Sequence, residues 1–231
     1  SAITSYTATS SPGGITGTIS QSGSGSITVT GLTNDTAYTF TVTATNSIGT
    51  SVASTASSSV TPVTTPAVGD FYGGGVVFYI LEEGDTGYID GETHGLIAAV
   101  ADQSSGILWH NGNLVETSAS ATAIGTGAAN TNAIIAVQGA TEIHYAAGLA
   151  RAYNGGGYTD WFLPSKDELS EMQTNKATIN TTASENSGSD FGVRFYWSST
   201  EENNQYAWEM SIDSGSAAYY EKATSNGVRA V

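Results

Sequence analysis

The side chains best suited to catalysis are few and scattered. His94, His110 and His144 are the only imidazoles, and the chain contains no cysteine. No two histidines lie three or four residues apart, and no HExxH or comparable metal-binding spacing occurs. No GxSxG nucleophile elbow is present, and Gly125-Thr126-Gly127 lacks the lysine and the third glycine of a phosphate-binding loop. Because thiol chemistry is also excluded, we expect a protein that is not an enzyme.

A short acidic segment offers hard oxygen ligands. It contains Glu82, Glu83, Asp85 and Asp90, and Glu92 follows closely. Carboxylate oxygens are the ligands that calcium selects, so these residues are candidate calcium ligands. The EF-hand spacing is absent, and a solvated hairpin tip is the alternative interpretation. Calcium aside, nothing in the sequence calls for a cofactor.

The C-terminal stretch combines residue types found in binding surfaces. Alternation along residues 208–213 predicts a strand with apolar side chains on one face and polar side chains on the other. The residues after it are rich in Tyr, Ser and Gly, which supply rigid amphipathic rings and adaptable polar groups. Alternatively, Tyr219 and Tyr220 are ordinary strand residues, one pointing inward and one outward. The candidate ligand-binding residues are Trp208, Glu209, Ser211, Asp213, Ser216, Ala218, Tyr219, Tyr220 and Glu221.

The overall charge excludes several classes of partner. The 231 residues include 21 acidic and 6 basic side chains, which gives a formal net charge of -15. Nucleic acids and anionic membranes are bound through a basic footprint that this chain lacks. No apolar run approaches the roughly 20 residues of a membrane-spanning helix, so membrane insertion is not expected. No signal peptide is visible and residue 1 is Ser, so we expect a processed chain or a piece of a longer protein, of a composition common outside cells.

The charge is distributed unevenly, and this divides the chain. Residues 1–62 contain one charged side chain, Asp35, whereas the rest of the chain holds 20 acidic and all six basic residues. Two prolines, Pro62 and Pro66, lie at the transition and favour an extended connector. We therefore predict two domains, residues 1–62 and 68–231, joined by a linker at 63–67.

The first domain is predicted to be an all-β sandwich. Residues 26–30 and 38–44 alternate apolar and hydroxyl side chains, as half-buried strands do. The sequence GLTNDTAYTFTV at 31–42 resembles the second half of a fibronectin type III domain, in which the Leu and Tyr brace the corner before the sixth strand. Such a sandwich needs about seven strands in about 100 residues, and only about five fit. We expect an incomplete sandwich that serves as a spacer and is either truncated or completed by another chain.

The second domain is predicted to be α+β. Ser165 and Glu168 have the spacing of a capping box, which predicts a helix that continues through Met172. Apolar runs of strand length and segments with helical spacing accompany it. These are strands at 71–81 and 95–100, helices at 128–137 and 143–153, and short strands and loops from Phe195 onward.

Five motifs in the second domain occur together in a characteristic order. They are GDFYGGG at 69–75, DQSSGILW at 102–109, YTDWFLPSKDEL at 158–169, YWSSTE at 196–201 and VRAV at 228–231. Residues 68–231 thereby resemble the DUF1566 family, also called the Legionella collagen-like protein C-terminal domain. The resemblance implies a C-type-lectin-like fold, related to that of formylglycine-generating enzymes, which serves binding and adhesion.

Some properties of these relatives do not carry over to this chain. The cysteines on which formylglycine-generating enzymes depend are missing. The Glu-Pro-Asn and Gln-Pro-Asp triplets of calcium-dependent sugar binding are also absent. The Legionella member is associated with sulfated polysaccharide, but an acidic domain repels such a ligand. The remaining candidates are a cell-surface protein and a neutral glycan.

Together these patterns predict a non-enzymatic adhesion module outside the cell, displayed on a cell surface or a virion. Retroelements that diversify some members of this fold mutate adenines in Asn-type codons. Most residues at 211–227 belong to the set that such mutations can encode. Glu221 and Lys222 do not belong to it. The chain is therefore a candidate diversified receptor-binding protein. The alternative is a homo-oligomeric structural subunit of a phage fibre or extracellular filament, since an incomplete sandwich suits strand donation between subunits.

Overall fold

The computed structural model describes residues 1–139 and 144–231. They form two compact units, Ser1–Thr65 and Pro66–Val231. The chain is β-rich, and all helices of the described residues lie in the second unit. The junction between the units falls inside the segment that the sequence marks as a linker.

The first unit contains a three-stranded antiparallel sheet in the order β2–β1–β3. The predicted strand at 38–44 is present as β3. The predicted strand at 26–30 is wrong, because this segment crosses β2 without strand pairing. It passes so close that a Cβ on Gly17 would lie 2.2 Å from the carbonyl oxygen of Thr28. The three strands are β1 Ile3–Ser11, β2 Thr16–Ile19 and β3 Thr39–Asn46.

The alternation at 26–30 has a different structural cause. Ile27 and Val29 line an apolar groove together with Phe40 and Val42 of β3. An irregular segment that faces a sheet alternates its side chains much as a paired strand does. The apolar pattern was therefore informative about burial and misleading about strand pairing.

The outer edge of β3 is covered by residues 50–60. Three serines of this segment, Ser51, Ser54 and Ser57, each donate a backbone N–H to a carbonyl of β3. Each also accepts, through Oγ, an N–H from the same β3 residue at 3.0 Å. We call these three residues the serine ladder. Its partners are Ala44 for Ser51, Val42 for Ser54 and Phe40 for Ser57.

Tyr38 fixes the loop before β3. Its side chain is only 4% exposed, and its phenolic oxygen accepts a hydrogen bond of 3.0 Å from the backbone N–H of Thr33. Its backbone pairs with Val60 in both directions. The loop at 33–38 is thereby closed on itself.

The described part of the second unit contains two sheets. A three-stranded antiparallel sheet has the order β4–β5–β6, and a five-stranded mixed sheet has the order β10–β9–β8–β11–β7. The first comprises β4 Phe71–Tyr72, β5 Gly75–Ile80 and β6 Gly95–Ala99. The second comprises β7 Ser104–Ile107, β8 Phe195–Glu201, β9 Tyr206–Ser211, β10 Ala217–Glu221 and β11 Asn226–Val228.

Among the described residues, four α-helices pack on these sheets. They are α1 Gly127–Gln138, α2 Ala146–Ala152, α3 Lys166–Thr174 and α4 Lys176–Glu185. The predictions at 128–137 and 143–153 correspond to α1 and α2, although Ile143 lies outside the described residues. Helix α3 begins with the predicted capping box. Helix α4 was not predicted, because its Thr- and Asn-rich sequence has poor helix propensity, and it is held by burial of Ile179 and Ala183.

The C-terminal residues join the two sheets. Val231 exchanges two backbone hydrogen bonds of 2.9 Å with Phe162, and Ala99 at the end of β6 donates its N–H to Ala230. Residues 228–231 therefore lie in the core, where Val231 is 4% exposed. This arrangement places β6, β11 and the 158–162 segment side by side. None of the described helices has the length and apolar character that crossing a lipid bilayer requires.

Candidate functional site

The predicted ligand-binding residues lie at one edge of the five-stranded sheet. Strand β10 is the last strand of that sheet, and all five of its residues are exposed. It pairs antiparallel with β9, which places Tyr219 opposite Trp208. Within the described part of the chain, no strand covers the other side of β10. Its outer backbone N–H and C=O groups are thus available to a partner.

Three rings form an ordered cluster on one face of this edge. The Tyr219 ring meets Trp208 at 5.7 Å and Tyr206 at 5.9 Å between centroids, both edge to face. Lys166 places its ammonium 4.3 Å from the Trp208 ring centroid. Tyr219 nevertheless remains 53% exposed. We call Tyr206, Trp208 and Tyr219 the aromatic edge.

Tyr220 lies on the opposite face of β10. The register pairs it with Ala207, while Ala218 pairs with Glu209, so these side chains share a face that Tyr219 does not. Both tyrosines are about half exposed. The two rings therefore cannot contact one flat ligand together, and neither points into the core.

Glu209 is a predicted ligand-binding residue that the structure places in the interior. It is 6% exposed and accepts a hydrogen bond from the side-chain amide of Asn226. It shares its face of β9 with buried Ala207 and, across β8, with buried Trp197. Burial raises the pKa of the Glu209 carboxyl, and the bond from Asn226 opposes this effect. The alternation correctly places Glu209 on the face of β9 opposite to Trp208. Because this face of the sheet is also covered, Glu209 is buried.

The other predicted residues surround the edge without a common centre. Ser216, Ala218 and Glu221 are exposed. Ser211 is half-buried, and its hydroxyl accepts the N–H of Ser214 at 3.3 Å within the β9–β10 turn. Asp213 forms an exposed ion pair of 2.7 Å with Lys176. The surface at this edge is therefore built mainly from the aromatic edge and from the outer side of β10.

A buried ion pair anchors the chain directly after β10. The ammonium of Lys222 pairs with Glu201 and lies 4.3 Å from the Trp109 ring centroid. Glu201 also accepts hydrogen bonds from the N–H and the hydroxyl of Thr117. Burial lowers the pKa of Lys222, and the pairing with Glu201 opposes that effect. The exposed edge strand is thus attached to a charged and rigid interior.

The candidate calcium ligands are not brought together. Asp85 accepts hydrogen bonds from the hydroxyl of Tyr79 at 3.0 Å and from the N–H of Glu82 at 2.8 Å, so it closes its own turn. Burial and the Asp85 carboxylate raise the pKa of Tyr79 to about 12. Glu83 and Asp90 point into solvent. Within residues 1–139 and 144–231, no three His, Asp or Glu side chains are placed to hold a metal ion.

The histidines occupy separate places. His94 bonds to Glu92 at 2.8 Å on the surface. His110 is buried, and its Nδ1 accepts the N–H of Gly112 at 2.8 Å. Burial and the nearby Lys222 ammonium lower the pKa of His110, which favours the neutral ring. His144 is exposed. These contacts do not align a histidine with a hydroxyl nucleophile.

The glycine-containing turn before α1 already holds an anion of the protein itself. Glu168 accepts the N–H of Gly125 at 2.8 Å and that of Gly127 at 3.2 Å. A Cβ at Gly127 would lie 2.2 Å from this carboxylate. Glu168 therefore occupies the position at which an external phosphate would bind these amides.

A pocket of about 380 Å³ was missed by sequence reasoning. It lies between the three-stranded sheet and the 158–162 segment, with Leu96, Ile97 and Trp161 among its apolar lining and Tyr72 and Tyr158 also bordering it. The signal was present as two glycine triplets, 73–75 and 155–157, each adjacent to a tyrosine. Nothing in periodicity or charge indicated that the two triplets meet.

Comparison with known families agrees with the motifs. The sequence profile of the family called the Lcl C-terminal domain matches residues 98–231, which is more than half of the chain. The chain belongs to this family. Four of the five motifs lie within the matched part, and the first, at 69–75, precedes it. Proteins of the family are surface-associated or secreted. No curated protein matches the chain significantly.

Proposed function

We propose that this member of the Lcl C-terminal domain family is a non-enzymatic recognition module whose aromatic edge binds a protein on another surface. One observation carries the proposal. The Tyr219 ring is held by Tyr206 and Trp208 and is still half exposed, on a strand whose outer side has no neighbour among the described residues. An exposed aromatic ring that neighbouring rings hold in place is typical of the anchor residues of protein interfaces.

Two properties favour a protein over other ligands. A ring held by its neighbours loses little conformational entropy on binding, which is why Tyr and Trp dominate binding energy at protein interfaces. The free edge of β10 offers backbone groups that an extended segment of a partner can pair with. The net charge of -15 favours a partner surface that is neutral or basic. A neutral glycan is the other class that this charge admits.

The absence of catalysis is part of the proposal. The imidazoles of His94 and His110 bond to Glu92 and to the Gly112 backbone, respectively. The buried carboxylates Glu168 and Glu201 are used for structural hydrogen bonds. These structural roles support a module that works without general acid–base chemistry.

We also propose fold assignments for both units. Supporting a fibronectin type III-like first unit, Tyr38 bonds back to Thr33 as in the tyrosine corner of such sandwiches. The open groove lined by Ile27 and Phe40 corresponds to the uncovered face of an incomplete sandwich. A C-type-lectin-like second unit is supported by the family resemblance and by the α+β layout. In this proposal the first unit spaces the second from a cell or virion surface.

Diversification of the C-terminal segment would have a structural basis. Residues 216–221 are all exposed, so exchange there leaves the core intact. Lys222, which Asn-type codons cannot produce, is fully buried with Glu201. A template repeat and a reverse transcriptase near the coding region would support this idea, and their absence would end it.

The binding proposal is tested with the full chain on arrays of surface proteins and of neutral and anionic glycans. Tyr219→Ala should weaken capture by a protein partner at least tenfold, whereas Phe71→Ala, which removes an exposed ring on β4, should leave it unchanged. Circular dichroism of both variants controls for folding. Equal capture by the wild type and Tyr219→Ala, or capture by glycans alone, contradicts the proposal.

The same preparation tests the structural alternative. Light scattering gives the oligomeric state of the full chain at rising concentration. A stable homo-oligomer that Tyr219→Ala dissociates, together with no hits on the arrays, would assign the aromatic edge to self-assembly. A monomer that binds a protein supports the recognition function.

A further inference from the structure

The pocket beside the three-stranded sheet has the properties of a second binding site, separate from the aromatic edge. Its volume of about 380 Å³ lies at the small end of the range of ligand pockets. Trp161, 3% exposed, contributes to the apolar lining together with Leu96 and Ile97. The rings of Tyr72 and Tyr158 are about half exposed and flank the opening.

The two tyrosines are held by an interlocked glycine frame. A Cβ at Gly74 would lie 2.3 Å from the backbone nitrogen of Gly156, and one at Gly156 would lie 2.4 Å from the carbonyl oxygen of Gly73. The two glycine triplets thus pack backbone against backbone, which only glycine permits. Since Tyr72 directly precedes one triplet and Tyr158 directly follows the other, the frame sets the distance between the rings. A pre-formed pocket avoids an ordering cost on binding.

Polar groups around the pocket have hydrogen-bonding capacity to spare. Within the described residues, the Asp160 carboxylate and the hydroxyls of Tyr72 and Tyr158 bond to no other group of the chain. His94, also in the lining, is oriented by Glu92 at 2.8 Å. An apolar lining with a few convergent donors and acceptors is typical of a small-ligand site.

The charge of the lining narrows the ligand class. No Lys or Arg lines the pocket, and Asp160 is joined by Glu92 next to His94. A sulfated or carboxylated ligand would meet only negative charge and is rejected. A purely apolar ligand would contact the rings but would use none of the polar groups at the rim, among them the exposed Asp160 carboxylate. A ligand with one apolar face and neutral hydroxyl groups matches both the rings and the polar groups.

We propose that this pocket binds one neutral pyranose ring, as a free sugar or as the end of a neutral glycan. The C–H face of the sugar packs on Tyr158 and Tyr72, and its hydroxyls bond to Asp160. The site goes beyond the protein-binding function of the aromatic edge and shares no residue with it. It also needs no metal ion, because the hydrogen bonds come from side chains.

The test is a titration of the full chain with D-glucose, D-galactose, D-mannose and N-acetyl-D-glucosamine, followed by NMR of the tyrosine and tryptophan resonances. At least one sugar should bind, and Kd should be unchanged by EDTA. Tyr158→Ala and Asp160→Asn should each weaken this binding tenfold or more. Tyr219→Ala, on the aromatic edge, should leave Kd within twofold and so separates this site from the protein-binding site.

Controls decide between ligand classes. Cyclohexanol has a similar ring with a single hydroxyl, and glucuronic acid adds a negative charge; both should bind at least tenfold more weakly than the best neutral sugar. No binding of any neutral sugar by the folded wild type overturns the proposal. Equal affinity for cyclohexanol, or full binding by a folded Tyr158→Ala variant, also overturns it.

Discussion

Lys222 and Glu201 form an ion pair in the interior of the second unit, where their side chains are 0% and 5% exposed. Lys222 is the first residue after the exposed strand β10, and Glu201 is the last residue of β8. The pair therefore joins the outermost strand of the sheet to a central strand. Pairing with β9 and the ring contacts with Tyr206 and Trp208 hold Tyr219 in place, and the ion pair fixes the end of β10 to the interior.

Removal of the Lys222 charge should strongly destabilise the fold. Lys222→Met leaves the buried Glu201 side chain with only the hydrogen bonds from Thr117, and breaking a buried pair in this way typically costs about 3–5 kcal/mol. The free energy of unfolding, measured by urea denaturation at pH 7, should fall by that amount. The double variant Lys222→Met/Glu201→Gln should lose less than Lys222→Met alone, because no buried charge remains.

Lys176→Met provides the matched control. It removes the partner of Asp213 from an exposed pair whose side chains are 27% and 57% exposed, and such pairs contribute about 0–1 kcal/mol. If Lys222→Met and Lys176→Met cost the same free energy, the buried pair does not have the structural role inferred for it.

Glu209 should make stability depend on pH. Burial holds the pKa of its carboxyl above the ordinary value of 4.5, so the folded state binds the proton more tightly than the unfolded chain. The stability that the protonated group contributes is complete below pH 4.5 and is lost as pH rises through the higher folded pKa. Glu209→Gln keeps an acceptor for Asn226 and cannot ionise.

Urea denaturation at pH 4 and pH 8 measures this effect. Relative to the wild type, Glu209→Gln should be more stable at pH 8 than at pH 4, because the raised pKa of the wild-type carboxyl costs stability only on the high-pH side. Glu221→Gln, on exposed β10, is the control for removing one negative charge from an acidic chain. A difference between wild type and Glu209→Gln that is the same at both pH values would mean that the carboxyl is solvated.

Features with a local cause were predictable from the sequence. The capping box of Ser165 and Glu168 needs only four residues, and the structure contains both of its hydrogen bonds. The alternation that separates Trp208 and Met210 from Glu209 also follows from strand geometry alone. The family match at 98–231 agrees with motifs that were visible in the sequence.

Features that depend on distant parts of the chain were not predictable. The alternation at 26–30 reflects burial of Ile27 and Val29 over the sheet, which a single sequence cannot separate from strand pairing. Burial of Glu209 depends on what covers the far face of β9. The pocket depends on contact between Gly74 and Gly156, which are far apart in the sequence and have no periodicity in common.

The glycine frame should be intolerant of side chains at one position and more tolerant at its neighbour. Gly156 and Gly157 both have positive φ, at +63° and +82°, so an alanine at either position is strained by about 1–3 kcal/mol. Only at Gly156 would the Cβ also meet backbone, 2.4 Å from the Gly73 carbonyl oxygen, whereas nothing lies within 4 Å at Gly157. Gly156→Ala should therefore be less stable than Gly157→Ala.

Thermal and urea denaturation of the two alanine variants measures the difference, which we expect to exceed about 1 kcal/mol because one backbone clash must be relieved. The NMR resonances of Tyr72 and Tyr158 should shift in Gly156→Ala and remain close to the wild-type positions in Gly157→Ala. An equal loss of unfolding free energy in both variants would show that the positive φ alone, and not the backbone contact, requires glycine at these positions.

The serine ladder of the first unit should protect the edge of β3 through side-chain hydroxyls. Ser54 accepts the N–H of Val42 through Oγ at 3.0 Å, so Ser54→Ala leaves that N–H without its acceptor at a cost of about 1 kcal/mol. Exchange of the Val42 amide with deuterium, followed by NMR in the full chain, should then accelerate about fivefold.

Ser58→Ala is the control, because the Ser58 side chain bonds to no residue of β3. Unchanged Val42 exchange in Ser54→Ala would mean that the backbone bonds alone hold residues 50–60 in place. Faster exchange would show that the serine hydroxyls, which recur at every third position, protect this edge in addition to the backbone hydrogen bonds.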